Sequence, residues 1–562
     1  MPILVTIDAG KLGCGEKGLK LFSVAEMVAA EQAADAQGVS YAQLMETAGR
    51  SVAEAIMARY GVNGRSILIL IGPGNNGGDG LVAGRYLAQA GADVAFYLTK
   101  MRDPEADPNF AAVQQMGLFT LDANFDQRYR VLRTRLRVTD ILVDALLGTG
   151  VSRPIGGTLA KLMQQVQQGV AEQQKATTPQ AGSLTSLHPL SLGESPSAAL
   201  PIIAVDCPSG LNCNTGVLDP LALPASVTVT FAGPKRGHFI FPGAAACGEL
   251  VVADIGIPRN VTEPLPVAVA TAVSQREQLP KRPLDGHKGT FGRVLIAAGS
   301  SHYWGAPLLA ALGAFRAGAG LVALAVPQAI RPTLAGQLPE ATYPPVPDQE
   351  QLGSATAHAL LRNIKHHNAL LVGPGLGEAH EFMTTLLAAH DQLPPLLVDA
   401  DGLNLLAQRD DWPQLLPPNT VLTPHPVEMA RLTGMNRDDL FAADRIELAR
   451  TYAQRWGHVV LLKGAYTVVA APDGQATVLP FAAPVLAVGG SGDVLSGVIA
   501  SLMAQGMAPY AAVVLGGYLH GLVGEMNNGR FGLLAHEIAD LIPAAAQHLQ
   551  NYASAGSQRR AR

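Results

Sequence analysis

The sequence predicts two α/β domains, the first built around a parallel β-sheet. Short apolar runs of strand length recur along the 562 residues, and helical stretches separate most of them. This alternation is typical of parallel sheets whose strands are buried on both faces. Apolar residues make up 48% of the chain and charged residues only 15%, so the composition can fill two large cores.

The first half is predicted to begin with two helices and to continue with five strands. The helices lie within residues 21–62, where Ser23 and Ser40 are placed to cap their N-termini. Residues 164–200 predict a helix end followed by a flexible insertion, because they are rich in Gln, Ala, Ser, Thr and Pro and lack apolar periodicity. The predicted strands are 66–72, 92–99, 140–148, 202–210 and 225–233.

A break that is proline-rich at both ends, residues 258–284, separates the two halves, and the alternation of strands and helices starts again after it. We therefore predict domains of residues 1–265 and 275–562. The predicted strands of the second half are 292–300, 321–327, 369–375, 395–402, 420–426, 459–464 and 467–474.

Charge and composition exclude several classes of protein. The net charge of −5 argues against a general nucleic-acid binder, and the arginines of residues 128–137 are expected to form a solvated helix face. The N-terminus lacks the basic start and apolar run of a signal peptide. The apolar stretch 509–524 is shorter than the ~20 residues of a membrane span, so we expect a buried helix there. We expect a cytoplasmic homo-oligomer without membrane or nucleic-acid partners.

A glycine-rich loop follows the first predicted strand. Residues 72–80 (GPGNNGGDG) contain five glycines and precede a helix predicted to begin at Leu81. Glycines allow the backbone to approach a ligand closely and to adopt positive φ, and a helix N-terminus offers free N–H groups to a phosphate. The loop therefore indicates a nucleotide site, although it matches neither of the standard phosphate-binding patterns. The alternative for Asp79 is a simple helix cap.

Two acidic residues lie at the ends of later strands in this half. Asp144 belongs to the end of the third predicted strand and Asp206 to that of the fourth. Ligands of open parallel sheets bind outside the carboxyl ends of the strands, so both acids are expected beside the glycine loop. Cys207 follows Asp206 directly, but no base is assigned to it, and a buried thiol is the favoured interpretation.

These motifs resemble, in order, the NAD(P)H-hydrate epimerase family, also called the YjeF N-terminal domain. GPGNNGGDG, DALLGTG, VDCPSG and GPKRGHFIFPGAAACGELVVADIGIP carry the resemblance, over about residues 20–260. It implies a Rossmann-like fold that inverts C6 of the hydrated nicotinamide ring in NADHX and NADPHX, and Asp206 is our candidate acid–base.

The same resemblance implies a binding site for each ligand of the first domain. A potassium ion would be held by Asn76, Asp144 and Ser209, whose oxygen atoms suit a hard cation. The residues expected to contact the substrate, besides Asp206, are Asn75, Asn76, Gly77, Gly78, Asp79, Gly148, Thr149, Gly150, Val151, Ser152, Arg153 and Pro154.

The strongest signal in the second half is the run GGSGDVLSGVIASLMAQG at residues 489–506. A glycine-rich turn at the start of a helix presents backbone N–H groups to an anion. Asp493 lies in the first turn, where the helix dipole is expected to lower its pKa and keep it ionised. Such a carboxylate suits deprotonation of a hydroxyl that attacks a phosphoryl group. The alternative is an acid that only stabilises the helix.

Polar residues also follow most of the predicted strands of the second half, and together they predict one rim of one sheet. His425 stands between two prolines and is interpreted equally well as a ligand contact or as loop structure. The residues of this rim are Ser300, the turn 373–377, Asp399, Asp401, His425, Glu428 and Lys463.

This half resembles the ADP- or ATP-dependent NAD(P)H-hydrate dehydratases of the ribokinase-like superfamily, and so implies an α/β/α sandwich. The matching runs over about 280–540 include HKGTFGRVLIAAGS, GPGLG, VDADGLNLL, TPHPVEM, KGAYT and GGSGD. The implied reaction phosphorylates the C6 hydroxyl with ADP as co-substrate, eliminates phosphate and leaves AMP, with Mg²⁺ offsetting the diphosphate charge.

The resemblance also assigns residues, with Asp493 catalytic. Those expected to contact the hydrated dinucleotide are Ala306, Gly375, His425 and Asp493. Those expected to hold the adenine nucleotide are Lys463, Gly464, Ala465, Tyr466, Thr467 and Gly492.

Two other functions stay open at this point. A ribokinase-like kinase of small alcohols shares the glycine-rich helix start, but a fused epimerase would have no role beside it. A binding module related to RNA-linked scaffolds would fit the arginines of 128–137, but the acidic balance and the intact set of Asn76, Asp144, Asp206 and Ser209 argue against it.

Overall fold

The structure is a computed structural model, and it describes residues 5–7, 18–176 and 200–552. The chain divides into two compact units at Leu265 and Pro266, and Leu19 belongs to the second unit. Both units are α/β, as the sequence predicts.

Strands and helices alternate through the first half of the chain. The strands are β1 Val5–Ile7, β2 Leu19–Lys20, β3 Ser66–Ile71, β4 Asp93–Leu98, β5 Phe119–Asp122, β6 Ile141–Ala145, β7 Ile202–Val205, β8 Val227–Phe231 and β9 Glu249–Ala253. The helices are α1 Val24–Ala36, α2 Tyr41–Tyr60, α3 Asn75–Gln89, α4 Pro108–Gln115, α5 Arg130–Val138, α6 Gly157–Ala176, α7 Gly243–Ala246 and α8 Arg259–Thr262.

The first unit contains a sheet whose described strands are all parallel, in the order β1-β9-β8-β7-β6-β3-β4-β5. Side chains of β3 alternate between two apolar cores. Ile67 and Ile69 pack with residues of α1 to α3, whereas Leu68 and Leu70 pack with residues of α5 and α6. The chain reverses its direction of travel across the sheet between β3 and β6, which is where open sheets bind ligands.

The alternation of strands and helices continues through the second half. The strands are β10 Val267–Val269, β11 Arg293–Ala297, β12 Leu321–Ala325, β13 Ala369–Val372, β14 Leu396–Val398, β15 Val421–Leu422, β16 Val459–Leu462, β17 Val468–Ala470 and β18 Ala476–Val478. The helices are α9 Ala272–Gln278, α10 Gly305–Arg316, α11 Arg331–Gln337, α12 Ser354–Leu361, α13 His380–Leu387, α14 Asp401–Leu406, α15 Pro426–Thr433, α16 Arg437–Ala442, α17 Arg445–Trp456, α18 Ser491–Ala504, α19 Pro509–Met526 and α20 Ala535–Gln550.

The second unit contains a mixed sheet in the order β12-β11-β13-β14-β15-β16-β17-β18-β10-β2. The pairs from β12 to β16 are parallel, and β17 is antiparallel to both β16 and β18. In this sheet the chain reverses its direction of travel across the strands between β11 and β13. The predicted site residues Gly375, Asp399 and His425 follow the neighbouring parallel strands β13, β14 and β15, whereas the glycine-rich start of α18 follows β18.

Several predictions of local structure are confirmed. Ser23 and Ser40 cap α1 and α2, each in a capping box. Residues 512–524 of α19 are buried, and within the described ranges no helix combines the length and apolarity needed to cross a bilayer.

One segment differs from its prediction, and another lies partly outside the described residues. The predicted break at 258–284 contains β10, which pairs with β18 and is therefore part of a sheet. The predicted insertion begins as helix, since α6 continues to Ala176, and residues 177–199 lie outside the described part of the chain.

Candidate active sites

Strand β3 leads almost directly into α3, which begins at Asn75 and not at Leu81 as predicted. Residues 75–80 are therefore helical, and only residues 72–74 form the turn. The helix N-terminus, where free N–H groups favour an anion, lies within the glycine–asparagine string itself.

Close packing explains two of the glycines in this string, Gly72 and Gly77. A Cβ atom at Gly72 would lie 1.7 Å from the carbonyl oxygen of Leu146, and one at Gly77 would lie 2.2 Å from the carbonyl oxygen of Gly72. The positive φ angles expected from the sequence are not found, since no glycine in residues 72–80 has one. The reason is that helical backbone requires negative φ.

Asp79 lies in the second turn of α3 and is buried, so it does not cap the helix, and that alternative is wrong. The capping position is Gly74. Burial raises the pKa of Asp79 well above its usual range, and the negative charges of Asp206 and Glu31 raise it further.

Arg102 holds the turn after β3 in place. Its guanidinium donates to the carbonyl oxygens of Gly72 at 2.7 Å and Gly74 at 2.5 Å, and to Asp107 at 2.6 Å. Sequence reasoning missed this residue, because it lies outside every motif and reaches the turn only through the fold.

The three predicted potassium ligands lie around the backbone of Leu147. The amide of Asn76 donates to the Leu147 carbonyl at 3.0 Å, and the Leu147 amide donates to Oγ of Ser209 at 2.9 Å. Ser209 in turn donates to Asp144 through its hydroxyl at 2.6 Å and its backbone amide at 2.8 Å. Asp144 is fully buried, which raises its pKa. The convergence expected from the sequence is confirmed.

The predicted substrate loop after β6 is only partly connected to this cluster. A Cβ atom at Gly148 would lie 3.3 Å from the side chain of Asn76. The rest of the loop is exposed or half-exposed between β6 and α6, and comprises Thr149, Gly150, Val151, Ser152, Arg153 and Pro154.

Asp206 follows β7 with a φ of 62°, in the left-handed region that a non-glycine residue adopts only at a cost. Its Oδ1 accepts hydrogen bonds from Lys235, from Oγ1 of Thr230 at 2.9 Å and from the amide of Phe231 at 3.2 Å. Lys235 is fully buried. The run that contains Lys235 carries part of the family resemblance, but no role was predicted for the lysine; a lysine between glycines at a strand end was the available signal.

Cys207 is fully buried and free, as predicted. A hydrogen bond with Cys213 and burial together raise the pKa of the Cys207 thiol. A thiol in that state is a poor nucleophile.

In the second unit, the turn after β13 lies against the start of α10. Gly375 has a φ of 63°, and a Cβ atom there would lie 2.7 Å from Cβ of Tyr303 and 3.0 Å from Cβ of Ala306. The two predicted substrate contacts Gly375 and Ala306 are thus brought together. Asp401 has a structural role in this turn, because it accepts the amide of Gly377 at 2.9 Å.

Lys463 follows β16 and lies between two acids, Asp399 after β14 and Glu428 of α15. Its ammonium donates to Asp399 at 2.8 Å and lies 3.8 Å from Glu428. Asp399 is buried, which alone would raise its pKa, but the charge and hydrogen bond of Lys463 bring the pKa below its usual value. Ser496 of α18 donates to Asp399 at 2.5 Å. Burial raises the pKa of Glu428 to about 7.

His425 caps α15. Its Nδ1 accepts from the backbone amides of Val427 at 3.1 Å and Glu428 at 3.3 Å, and its Nε2 lies 3.2 Å from the Glu428 carboxylate. The structural interpretation of His425 is therefore correct. Its side chain is nevertheless 46% exposed, so a ligand can still contact the ring.

Asp493 lies in the first turn of α18, but its pKa is raised to about 7 rather than lowered. The expectation from the helix dipole is wrong, because burial has the larger effect and Asp399 adds a repulsion that Lys463 only partly offsets. A carboxylate with a pKa near 7 still accepts a proton readily at neutral pH.

The predicted nucleotide segment after β16 is a tight loop. The Thr467 hydroxyl donates to the carbonyl of Gly464 at 2.7 Å, Tyr466 is buried, and Ala465 is exposed. Arg445, which sequence reasoning missed, donates to the carbonyl of Lys463 at 3.0 Å.

The glycine-rich start of α18 lies close to Lys463. A Cβ atom at Gly492 would lie 3.6 Å from the Lys463 ammonium. The neighbouring Ser491 is fixed by a 3.0 Å hydrogen bond to the buried His520, a second residue that the sequence did not identify. Burial lowers the pKa of His520 to about 4, so the ring is neutral at physiological pH.

Comparisons with known proteins match a different family to each half of the chain. The family described as YjeF-related protein N-terminus matches residues 41–237, and the NAD(P)H-hydrate dehydratase family matches residues 294–544. The bifunctional NAD(P)H-hydrate repair enzyme Nnr of Moorella thermoacetica is 38% identical over 90% of this chain and 92% of its own. That of Thermofilum pendens is 36% identical over 92% of this chain and 94% of its own.

This chain belongs to the bifunctional NAD(P)H-hydrate repair enzymes. An ADP/ATP-dependent NAD(P)H-hydrate dehydratase of Bacillus subtilis, crystallised with ATP and Mg²⁺, is 32% identical over 50% of the chain and 98% of its own length, with a TM-score of 0.43. As a repair enzyme of this family, the chain is not a lone kinase or a binding module, because its relatives match both halves at once.

Proposed function

We propose that the first unit interconverts the R and S forms of NADHX and NADPHX, and that the second dehydrates the S form with ADP. One observation supports both assignments. In each unit an acid, Asp206 or Asp493, lies beside a lysine that is buried or half-buried, among residues that follow parallel strands, where open sheets bind their ligands.

The epimerisation needs a proton to be given and taken at one oxygen atom. A protonated acid donates to the C6 hydroxyl as the C–O bond breaks, water leaves, and the ring nitrogen stabilises the cation at C6. Water then adds from the other face and loses a proton to the same group. Asp206 is our candidate for this group, and Asp79, whose pKa is raised, is a second acid nearby.

The residues around Leu147 fit a potassium ion. Asp144 is fully buried, and the effects that set its pKa are burial and hydrogen bonds, with no basic side chain among them. A monovalent cation held by Asn76, Asp144 and Ser209 would offset that charge and fix the loops after β3, β6 and β7 around the substrate.

In the second unit, Asp493 takes the proton of the C6 hydroxyl while the hydroxyl oxygen attacks the β-phosphoryl group of ADP. The bond between the two phosphates breaks and AMP leaves. The C6–O bond then breaks, a proton leaves C5, and reduced nicotinamide and inorganic phosphate are the products. Phosphate leaves far more easily than hydroxide, which gives the phosphorylation its purpose.

The acids around Lys463, which is predicted to hold the adenine nucleotide, also suit Mg²⁺. Asp399 raises the pKa of both Glu428 and Asp493, Glu428 also raises that of Asp493, and Lys463 offsets the charge of all three acids. A diphosphate would add more negative charge. Asp399 and Glu428 would hold the ion together with the phosphate oxygens and water, and the ion would neutralise charge on the transferred group.

The test uses the full chain with a mixture of R and S hydrates, while the absorbance of reduced nicotinamide is followed. Without ADP we expect interconversion alone, and with ADP complete conversion. With ADP, conversion by the D206N variant should stop when the S form is consumed. The D493N variant should still interconvert the two forms. ADP consumption with a thiazole or pyrimidine alcohol instead of the hydrate would contradict the proposal. The cytoplasmic location and homo-oligomeric state stay predictions.

A further inference from the structure

Lys235 is a buried cation whose hydrogen-bonding capacity is filled. Its ammonium donates to Asp206, to Oγ1 of Thr230 at 2.9 Å and to the carbonyl oxygen of Phe231 at 3.1 Å. The side chain is 0% exposed, whereas the side chain of Asp206 is 12% exposed. A ligand can therefore reach the carboxylate but not the lysine.

The hydrogen bonds to the Asp206 carboxylate all reach the same one of its two oxygens. Oδ1 receives the bonds from Lys235, Thr230 and Phe231, and in the described part of the chain no hydrogen bond reaches Oδ2. Three donors on one oxygen fix the rotation of the carboxylate as well as its position. The second oxygen, Oδ2, therefore points in a fixed direction.

Thr230 connects the two charged groups. Its hydroxyl donates to Asp206 and accepts from Lys235, so the three side chains form a closed triangle. Thr230 lies in β8, and Asp206 follows the neighbouring strand β7. The triangle is thus held by the sheet, although Asp206 itself has a left-handed backbone angle.

We propose that Lys235 is a positioning residue of the epimerase site, which anchors Oδ1 of Asp206 and leaves Oδ2 to the C6 hydroxyl of the hydrate. The inference rests on the function proposed for the first unit. Lys235 touches no substrate and moves no proton, because it is enclosed and its three N–H groups are already bonded.

The main test replaces the ammonium in the full chain. K235M keeps the length of the side chain but removes all three donors, so Asp206 is free to rotate. We expect kcat for interconversion of the R and S hydrates to fall by about 10²-fold, the size of a typical acid–base contribution, while KM changes less than about threefold. K235Q retains N–H donors and should recover part of the loss.

A second variant covers the case in which K235M does not fold. T230V removes the hydroxyl that bonds both charged groups but retains their charges. We expect kcat to fall by about three- to tenfold at unchanged KM, the effect of one lost hydrogen bond. A wild-type kcat in folded K235M, or in T230V if K235M unfolds, would overturn the inference. A rise in KM alone would do the same, because it would indicate a binding role.

The control variant is R59M. Arg59 forms an ion pair with Glu249 at 2.6 Å in the same unit. Glu249 is the first residue of β9, at the amino ends of the parallel strands, whereas Asp206 follows the carboxyl end of β7. R59M should keep its kcat, whereas a loss equal to that of K235M would show that removing any ion pair impairs this unit.

Dehydration of the S hydrate with ADP reports separately on the second unit of each variant. If the wild-type chain does not interconvert the hydrates, the proposed function fails. If it does and the variants match it, only the role of Lys235 fails.

Discussion

The ammonium group of Lys463 lies 2.8 Å from the carboxylate of Asp399, and this ion pair is the point at which β14 and β16 are joined at their carboxyl ends. Asp399 is only 1% exposed. A buried carboxylate needs such a partner, because its desolvation is otherwise uncompensated. The same lysine offsets the charge of two further acids, Glu428 and Asp493.

Replacing this lysine should therefore affect both stability and activity. We expect K463M to lower the free energy of unfolding of the second unit by roughly 3 kcal/mol, because Asp399 is left buried and unpaired. ADP-dependent dehydration should be lost, while epimerisation is retained. The control is R409M, which breaks an exposed ion pair with Asp411 and should leave the denaturation midpoint close to that of the wild type, because solvent screens the pair. Equal denaturation midpoints for the two variants would contradict the role of the pair.

The dehydration rate should depend on pH through Asp493. Its pKa is about 7, and it must be ionised to accept the hydroxyl proton. We expect kcat/KM for the S hydrate to fall as the pH is lowered through about 7, tenfold for each further unit of pH. The measurement is a pH profile of NADH formation at saturating ADP. A profile that stays flat down to pH 5 would remove Asp493 as the base.

The raised pKa of Asp493 also predicts that its charge destabilises the fold. Between the usual Asp pKa of about 3.9 and 7, the folded state binds more protons than the unfolded state, so stability falls as the pH rises. D493N removes the charge and should raise the Tm of the ligand-free second unit at pH 8, by about 2–4 °C for each kcal/mol recovered. At pH 4 or below the gain should vanish. A Tm below that of the wild type at pH 8 would contradict this.

Two neighbouring glycines provide a matched test of the turn after β3. A Cβ atom at Gly72 would overlap the carbonyl of Leu146, whereas one at Gly74 has nothing within 4 Å. We expect G72A to unfold the first unit or to abolish epimerisation, with a loss above ~3 kcal/mol. G74A should fold like the wild type. Thermal unfolding of both variants measures the difference, and similar Tm values would show that the turn can shift.

Local signals in the sequence were sufficient for much of the fold. Ser23 and Ser40 cap helices because each has the side chain that bonds the free amides of the first turn, with a Glu or Gln three residues later to complete the box. Most of the buried parallel strands were found because each contains a short apolar run, although β5 and β9 were not predicted. The strands β10 and β18 were missed, because three-residue strands acquire their apolar partners from the rest of the sheet.

The candidate sites were predicted less evenly. Asn76, Asp144 and Ser209 lie in motifs, and the structure brings them together as expected. Arg102, Arg445 and His520 were missed because each acts on a loop that is distant in the sequence.

The sequence by itself determined the two α/β units, most strand positions and the residue types that carry the chemistry, because these depend on apolar periodicity and on neighbours within a few positions. Only the tertiary structure decided that Lys235 anchors one oxygen of Asp206, and that the pKa of Asp493 is raised rather than lowered. Both results arise from burial and charge contributed by residues on other strands, and desolvation depends on what surrounds a group in space.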